Sequence, residues 1–159
     1  MAIQQVLADW IADRANLVIV GIGNPFRRDD GVGVEVAKRL KDAISDDSVL
    51  VLESQSVPES YLQPITDFTP SHLLLIDAAD LGLAPGQLRF SSESDAGGVA
   101  VSTHALPLRL VCRYLTRVTG AKIGLLLIQP ESVNFGEGLS PTVDSVATQV
   151  VEVLRRLFS

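Results

Sequence analysis

Three apolar runs, Leu17-Val-Ile-Val20, His72-Leu-Leu-Leu-Ile76 and Ile123–Ile128, set the strongest limit on how this chain folds. A strand with no polar face must be covered on both sides, which is the habit of a parallel sheet held between helices. Each run falls far short of the ~20 residues needed to cross a bilayer. The stretches between them carry helical spacing instead. Ile3, Val6, Leu7, Trp10 and Ile11 share one face, and Val32, Val36, Leu40 and Ile44 recur every four residues over Gly31–Ile44. Leu108, Val111, Cys112 and Leu115 mark a further helix. Ser140-Pro141, an N-cap followed by a proline at the first helical position, opens the last one, with Val143, Val146, Ala147, Val150, Leu154 and Leu157 on its apolar face.

Shorter signals fill the gaps. Val49–Leu52 reads as a strand, Tyr61–Phe68 as a short helix, Ala78–Gly86 as a loop closed by Pro85-Gly86, and Leu88–Phe90 as an edge strand. Ser91–Ala100 is Ser/Gly-rich and reads as a mobile segment. The alternation predicts an α/β fold: a three-layer sandwich with a mostly parallel twisted sheet between helices. It forms a single domain over residues 1–159, with 1–15 as an additional N-terminal helix whose apolar face suits a homodimer contact.

Composition narrows the function. A chain of 159 residues buries roughly two-thirds of its unfolded surface as one domain. With 13 Lys+Arg against 19 Asp+Glu the net charge is -6, which argues against nucleic acid as a partner. One cysteine makes neither an intramolecular disulfide nor a four-thiolate metal site, and with two histidines any metal site must lean on carboxylates. The first fifteen residues carry Asp9, Asp13 and Arg14 and lack a basic start with an apolar core, so the chain reads as cytoplasmic, without membrane insertion.

In an open α/β sheet, ligands sit beyond the carboxyl ends of the strands. Three segments belong there: Gly21-Ile-Gly-Asn-Pro-Phe-Arg-Arg-Asp-Asp-Gly-Val-Gly33, Asp77-Ala-Ala-Asp80 and Ser102-Thr-His-Ala-Leu-Pro107. The first is not a dinucleotide fingerprint. Asn24-Pro25-Phe26 stands where the third glycine should fall, and two aspartates occupy the place of a pyrophosphate. Of that pair, sequence position suggests that Asp29 caps the following helix and Asp30 projects into the cleft. Taken singly, Asp77 reads as an Asx-turn and His104 as a residue satisfying backbone groups. Together, Asp30, Asp77 and His104 make a three-ligand set with open positions, suited to zinc or another borderline divalent ion. His72, at the far end of its strand, reads as structural, and Cys112 reads as a small core residue. A Cys112–His104 nucleophilic pair lacks a third, orienting group.

The three segments together resemble the hydrogenase maturation protease family, the endopeptidases that trim the C-terminal tail of the [NiFe]-hydrogenase large subunit. The resemblance rests on Gly21-x-Gly-Asn24, Asp29-Asp-Gly-x-Gly33, Ile76-Asp77-Ala78, and Thr103-His104 before Leu106-Pro-Leu108. It extends to Ser56-Val-Pro-Glu59, Asp80-Leu-Gly-Leu-Ala-Pro-Gly86 and Ile128-Gln-Pro-Glu131, segments similar to the branch acting on formate-hydrogenlyase-type hydrogenases. The N-terminal helix lies outside the likeness.

The resemblance implies that the large-subunit precursor is the partner, cut only after nickel has been inserted. Asp30, Asp77 and His104 would recognise that substrate-borne nickel, for which a zinc-like divalent ion could substitute. Many members carry Glu where Asp30 stands. On this reading Gly23, Asn24, Arg27, Arg28 and Asp29 contact the substrate, with Asn24 and the N–H groups of the glycine loop positioned to steady an oxyanion. The rival reading is a non-catalytic nickel-binding checkpoint or chaperone for the same subunit, built on the same three ligands.

Overall fold

The computed structural model describes residues 2–55, 61–92 and 105–158. Five strands, β1 (Leu17–Ile22), β2 (Val49–Ser54), β3 (His72–Ala78), β4 (Leu88–Ser92) and β5 (Lys122–Ile128), form one sheet in the order β2-β1-β3-β5-β4. The first three and β5 run parallel, and β4 pairs antiparallel with β5 as an edge. Every residue of β1 and β3 is buried, so the uninterrupted apolar runs do mark strands covered on both faces. Full burial of such a Leu or Ile side chain contributes about 1.5–3 kcal/mol.

Alternate residues of each strand feed two cores. Leu17, Ile19, Leu74, Ile76 and Ala78 join one with α1 (Ala2–Trp10), α2 (Val32–Ala43) and α5 (Pro141–Leu157). Val18, Val20, Ile22, Leu73 and Leu75 join the other with α3 (Leu62–Phe68) and α4 (Ala105–Thr119), where Cys112 and Leu115 are buried. The predicted three-layer sandwich is therefore observed. Among the described residues no helix is long and apolar enough to cross a membrane.

Three local expectations are corrected. The strands β2 and β3 run two residues further than their apolar runs, because the parallel ladder continues through Ile22↔Ser54 and Ala78↔Ile128. Ser91 and Ser92 close β4 in register with Leu125 and Gly124 and do not open a mobile segment; 93–100 lies outside the described residues. The apolar face of α1 is used within the chain, since Leu7 and Ile11 enter the core. Trp10 stands edge-on to His72 at 5.0 Å and to Phe90 at 5.4 Å. That leaves Val6 as the large apolar side chain that α1 presents to solvent.

His72 begins the central strand β3 at the end of the sheet opposite the C-terminal loops, pairing with Leu17 and Lys122. Its Nδ1 lies 2.9 Å from the Ser71 hydroxyl and its Nε2 3.2 Å from an Asp13 carboxylate oxygen. Those partners fix the loop after α1 to the floor of the sheet, a structural role as expected from its position.

Candidate active site

From β1 the chain passes to β2 on one side and then to β3 on the other. The loops after β1 and β3 therefore part at a topological switch point, the crevice where open α/β sheets bind ligands. A one-turn 3-10 helix, Arg28–Gly31, follows β1 there and leads into α2.

Glycines set how closely that turn approaches the sheet. A Cβ on Gly33 would collide with the carbonyl oxygens of Ile76 and Ile22, and one on Gly21 with the Gly33 carbonyl. Gly23 has φ +152, and a Cβ there would meet the Asp30 carbonyl. The glycine pattern thus permits backbone to lie on backbone. It presses the start of α2 against the ends of β1 and β3, a packing role that needs no phosphate.

Asp30 and Asp77 are brought to this corner, 2% and 0% exposed. Asp30 accepts the Asn24 N–H at 3.2 Å, and Asp77 accepts the Ala78 N–H at 2.8 Å. Asp77 alternates with Leu73 and Leu75, so it faces the layer of α3 and α4. On the other side of β1, paired with Ile22, Ser54 ends β2 with a buried hydroxyl that has no hydrogen-bond partner among the described residues. His104 lies outside the described residues. Among those described, no group of three or more His, Cys, Asp or Glu side chains could hold a metal ion.

The second aspartate of the pair departs from expectation. Asp29 is 0% exposed and does not cap α2, whose N-cap is Gly31 without a side-chain bond. Its Oδ2 accepts the N–H groups of Glu131 (2.9 Å) and Ser132 (3.2 Å) and the Ser140 hydroxyl (2.8 Å), while Oδ1 accepts the Ser140 N–H (2.8 Å). The carboxylate therefore sits at the N-terminus of α5, where negative charge is favoured. Ser140, expected to cap α5 through its hydroxyl, gives that hydroxyl to Asp29. With both oxygens engaged internally, Asp29 is a clasp between loops.

The loop's N–H groups are also spoken for. Gly23 donates to Ser54 O, Asn24 to the Asp30 carboxylate, and Phe26 to Asn24 Oδ1. Arg27 donates to Asn24 O, Arg28 to Gly136 O, Asp29 to Ser132 O and Asp30 to Arg27 O. Pro25 has no N–H to give. Each N–H group of the segment Gly23–Asp30 thus already has an acceptor within the chain, which makes the segment a scaffold. Arg27 and Arg28 are exposed. Arg27 Nε donates to Val133 O at 3.1 Å, and the Arg28 guanidinium lies over Gly136. Arg28 has φ +48, a left-handed conformation uncommon outside glycine.

A cleft of about 210 Å³ opens beyond β3 and β5, lined by Ala78, Ala79, Asp80 and residues 129–133. Gln129 shapes it, its Oε1 accepting the N–H groups of Leu81 (2.6 Å) and Leu83 (3.3 Å). Ser54 was not singled out from sequence, and Gln129 entered only within the Ile128-Gln-Pro-Glu131 segment of the resemblance. The available signal was a polar residue ending an apolar strand, as for Asp77.

Known proteins share this arrangement. Residues 34–156 match the family model described as hydrogenase maturation protease. The hydrogenase 3 maturation protease of Escherichia coli is 33% identical over 133 residues, covering 82% of this chain and 84% of that protein. The crystal structure of a [NiFe] hydrogenase maturation protease from Thermococcus kodakarensis superposes with a TM-score of 0.87 at 36% identity, covering 96% of this chain and 98% of that one. The hydrogenase maturating endopeptidase HybD of Escherichia coli gives a TM-score of 0.75 at 26% identity over 88% of this chain and 90% of its own. The chain belongs to the hydrogenase maturation protease family and is an endopeptidase of that kind.

Proposed function

We propose that this endopeptidase removes the C-terminal extension of a [NiFe]-hydrogenase large-subunit precursor after nickel insertion, and that Asp30, Asp77 and His104 recognise the nickel. The observation that carries the reading is the placement of two buried carboxylates from separate segments at one switch-point corner, with Asp77 on the sheet face that α4 covers. In sequence, α4 begins one residue after His104.

The incomplete ligand set fits an ion that arrives already bound by the substrate. Two carboxylates and an imidazole supply part of a shell, leaving positions for the precursor's own ligands. Capture of that ion would hold the cleavage point beside the carboxylates at high effective concentration, and a carboxylate there can take a proton from attacking water. The loop's internally satisfied backbone keeps Asp30 in position without help from the substrate.

The test uses nickel-loaded and nickel-free precursor with the wild-type chain and with Asp30→Ala, Asp77→Ala and His104→Ala, read by mass spectrometry. The expected result is shortening of the loaded precursor alone, lost in each variant while circular dichroism stays native. Equal cleavage with and without nickel, or full activity in the His104 variant, would overturn the assignment.

A further inference from the structure

Two phenylalanine rings stand out of the surface on the loops that frame Asp30. Phe135 is 86% exposed and Phe26 51%. They come from distant parts of the chain and are tied by main-chain bonds: Gly136 N–H to Phe26 O and Arg28 N–H to Gly136 O, both 2.8 Å. Arg27 bridges to Gly136 in parallel sense and reaches Val133 O through its Nε. Beneath them, Asp29 fastens Glu131, Ser132 and Ser140. The rings therefore project from a framed double loop and not from a loose tip.

One exposed phenylalanine needs no explanation. Here two share a frame with Arg27 and Arg28, which form no ion pair with a carboxylate among the described residues. Aromatic and arginine side chains on an ordered backbone are the groups that dominate binding, because little ordering entropy is lost on contact. The occupant follows from the activity. An endopeptidase brings a protein chain to its reacting groups, so the rim beside Asp30 faces that chain. A second copy seated there would occupy the rim that the substrate chain must reach.

We propose that Phe26 and Phe135, with Arg27 and Arg28, form a docking platform for the precursor protein, taking an apolar side chain against the rings and a carboxylate on the guanidinium groups. The inference rests on placing the reaction at Asp30, and it names the surface that selects the substrate there.

Binding and cleavage are measured separately on the whole nickel-loaded precursor, by biolayer interferometry and by mass spectrometry of initial rates. The variants are Phe26→Ser, Phe135→Ser, the pair together and Phe135→Leu. The double variant is expected to weaken precursor binding about tenfold or more, with the loss falling on KM rather than kcat. Phe135→Leu retains most of the affinity, and the Tm of each variant stays near that of wild type. Binding by the double variant within about twofold of wild type overturns the platform. So does sedimentation showing a wild-type dimer that Phe135→Ser separates without changing precursor affinity, which assigns the rings to a second copy. A wild-type chain that binds the precursor without shortening it fails the proposed function, and the platform is still judged on the binding data.

Discussion

The hydroxyl and the backbone N–H of Ser140 both donate to the carboxylate of Asp29, each at 2.8 Å, across 111 residues of sequence. The bonds join the start of the last helix to the turn that carries Asp30, so one buried charge serves both the fold and the candidate site.

Replacing that charge should therefore cost stability first. Asp29→Ala leaves the N–H groups of Glu131, Ser132 and Ser140 without their acceptor, an expected loss on the order of 3–5 kcal/mol. Asp29→Asn, which keeps one acceptor oxygen, should fall between. Urea unfolding measures both; an Asp29→Ala midpoint equal to wild type would refute the clasp.

Gly33→Ala places a methyl group against the carbonyl oxygens of Ile76 and Ile22. Backbone cannot turn aside as a side chain can, so α2 must lift from the sheet, at a cost of at least ~1–3 kcal/mol. Asp30 would move with it. Thermal unfolding temperature and processing rate should fall together, and an unchanged Tm would refute the close approach of α2 to the sheet.

Acid should weaken the opposite end of the sheet. Burial holds the His72 imidazole below its ordinary range; Asp13 opposes the shift and Lys122 assists it. Just below the ordinary histidine pKa the unfolded chain thus binds more protons than the folded one. Stability is full above about pH 6.5 and declines as pH falls toward the lower folded value. Thermal melts between about pH 7.5 and 5 should show the decline, and His72→Gln should flatten part of it.

Burial pushes the Cys112 thiol up to about 11. A thiol that stays protonated is a poor nucleophile, so the folded protein should react with a thiol reagent far more slowly than the unfolded one. The raised value also adds stability below about pH 9 that is lost as pH rises toward the folded value. Cys112→Ala should lose less than the parent over that alkaline range. Fast labelling of the native protein would place the side chain outside its core.

How much of this could be read from sequence depends on how local each cause is. The run His72–Ile76 announced a doubly covered strand because nothing in it after His72 is polar. Its continuation through Asp77 was hidden, since a ladder partner at Leu127 keeps a polar residue in a strand that its own chemistry would end. Asp29 and Asp30 were recognised as a pair with divided roles, yet the capped helix was α5 and not α2. No spacing rule reaches a partner so distant. The glycine pattern was read as departing from a dinucleotide fingerprint, but the packing it serves depends on Ile76, which only the folded sheet brings to Gly33. Phe135 gave no signal, because exposure of an apolar residue is decided by everything that fails to cover it.

The span of the Asp29 clasp carries a consequence for synthesis. Asp30 is made early, but the groups that fasten its turn, Glu131, Ser132 and Ser140, belong to the last part of the chain. A growing chain emerges from its N-terminus, and contacts between distant segments wait for the later one. The turn that carries Asp30 is thus locked only after a segment made about a hundred residues later has joined the fold.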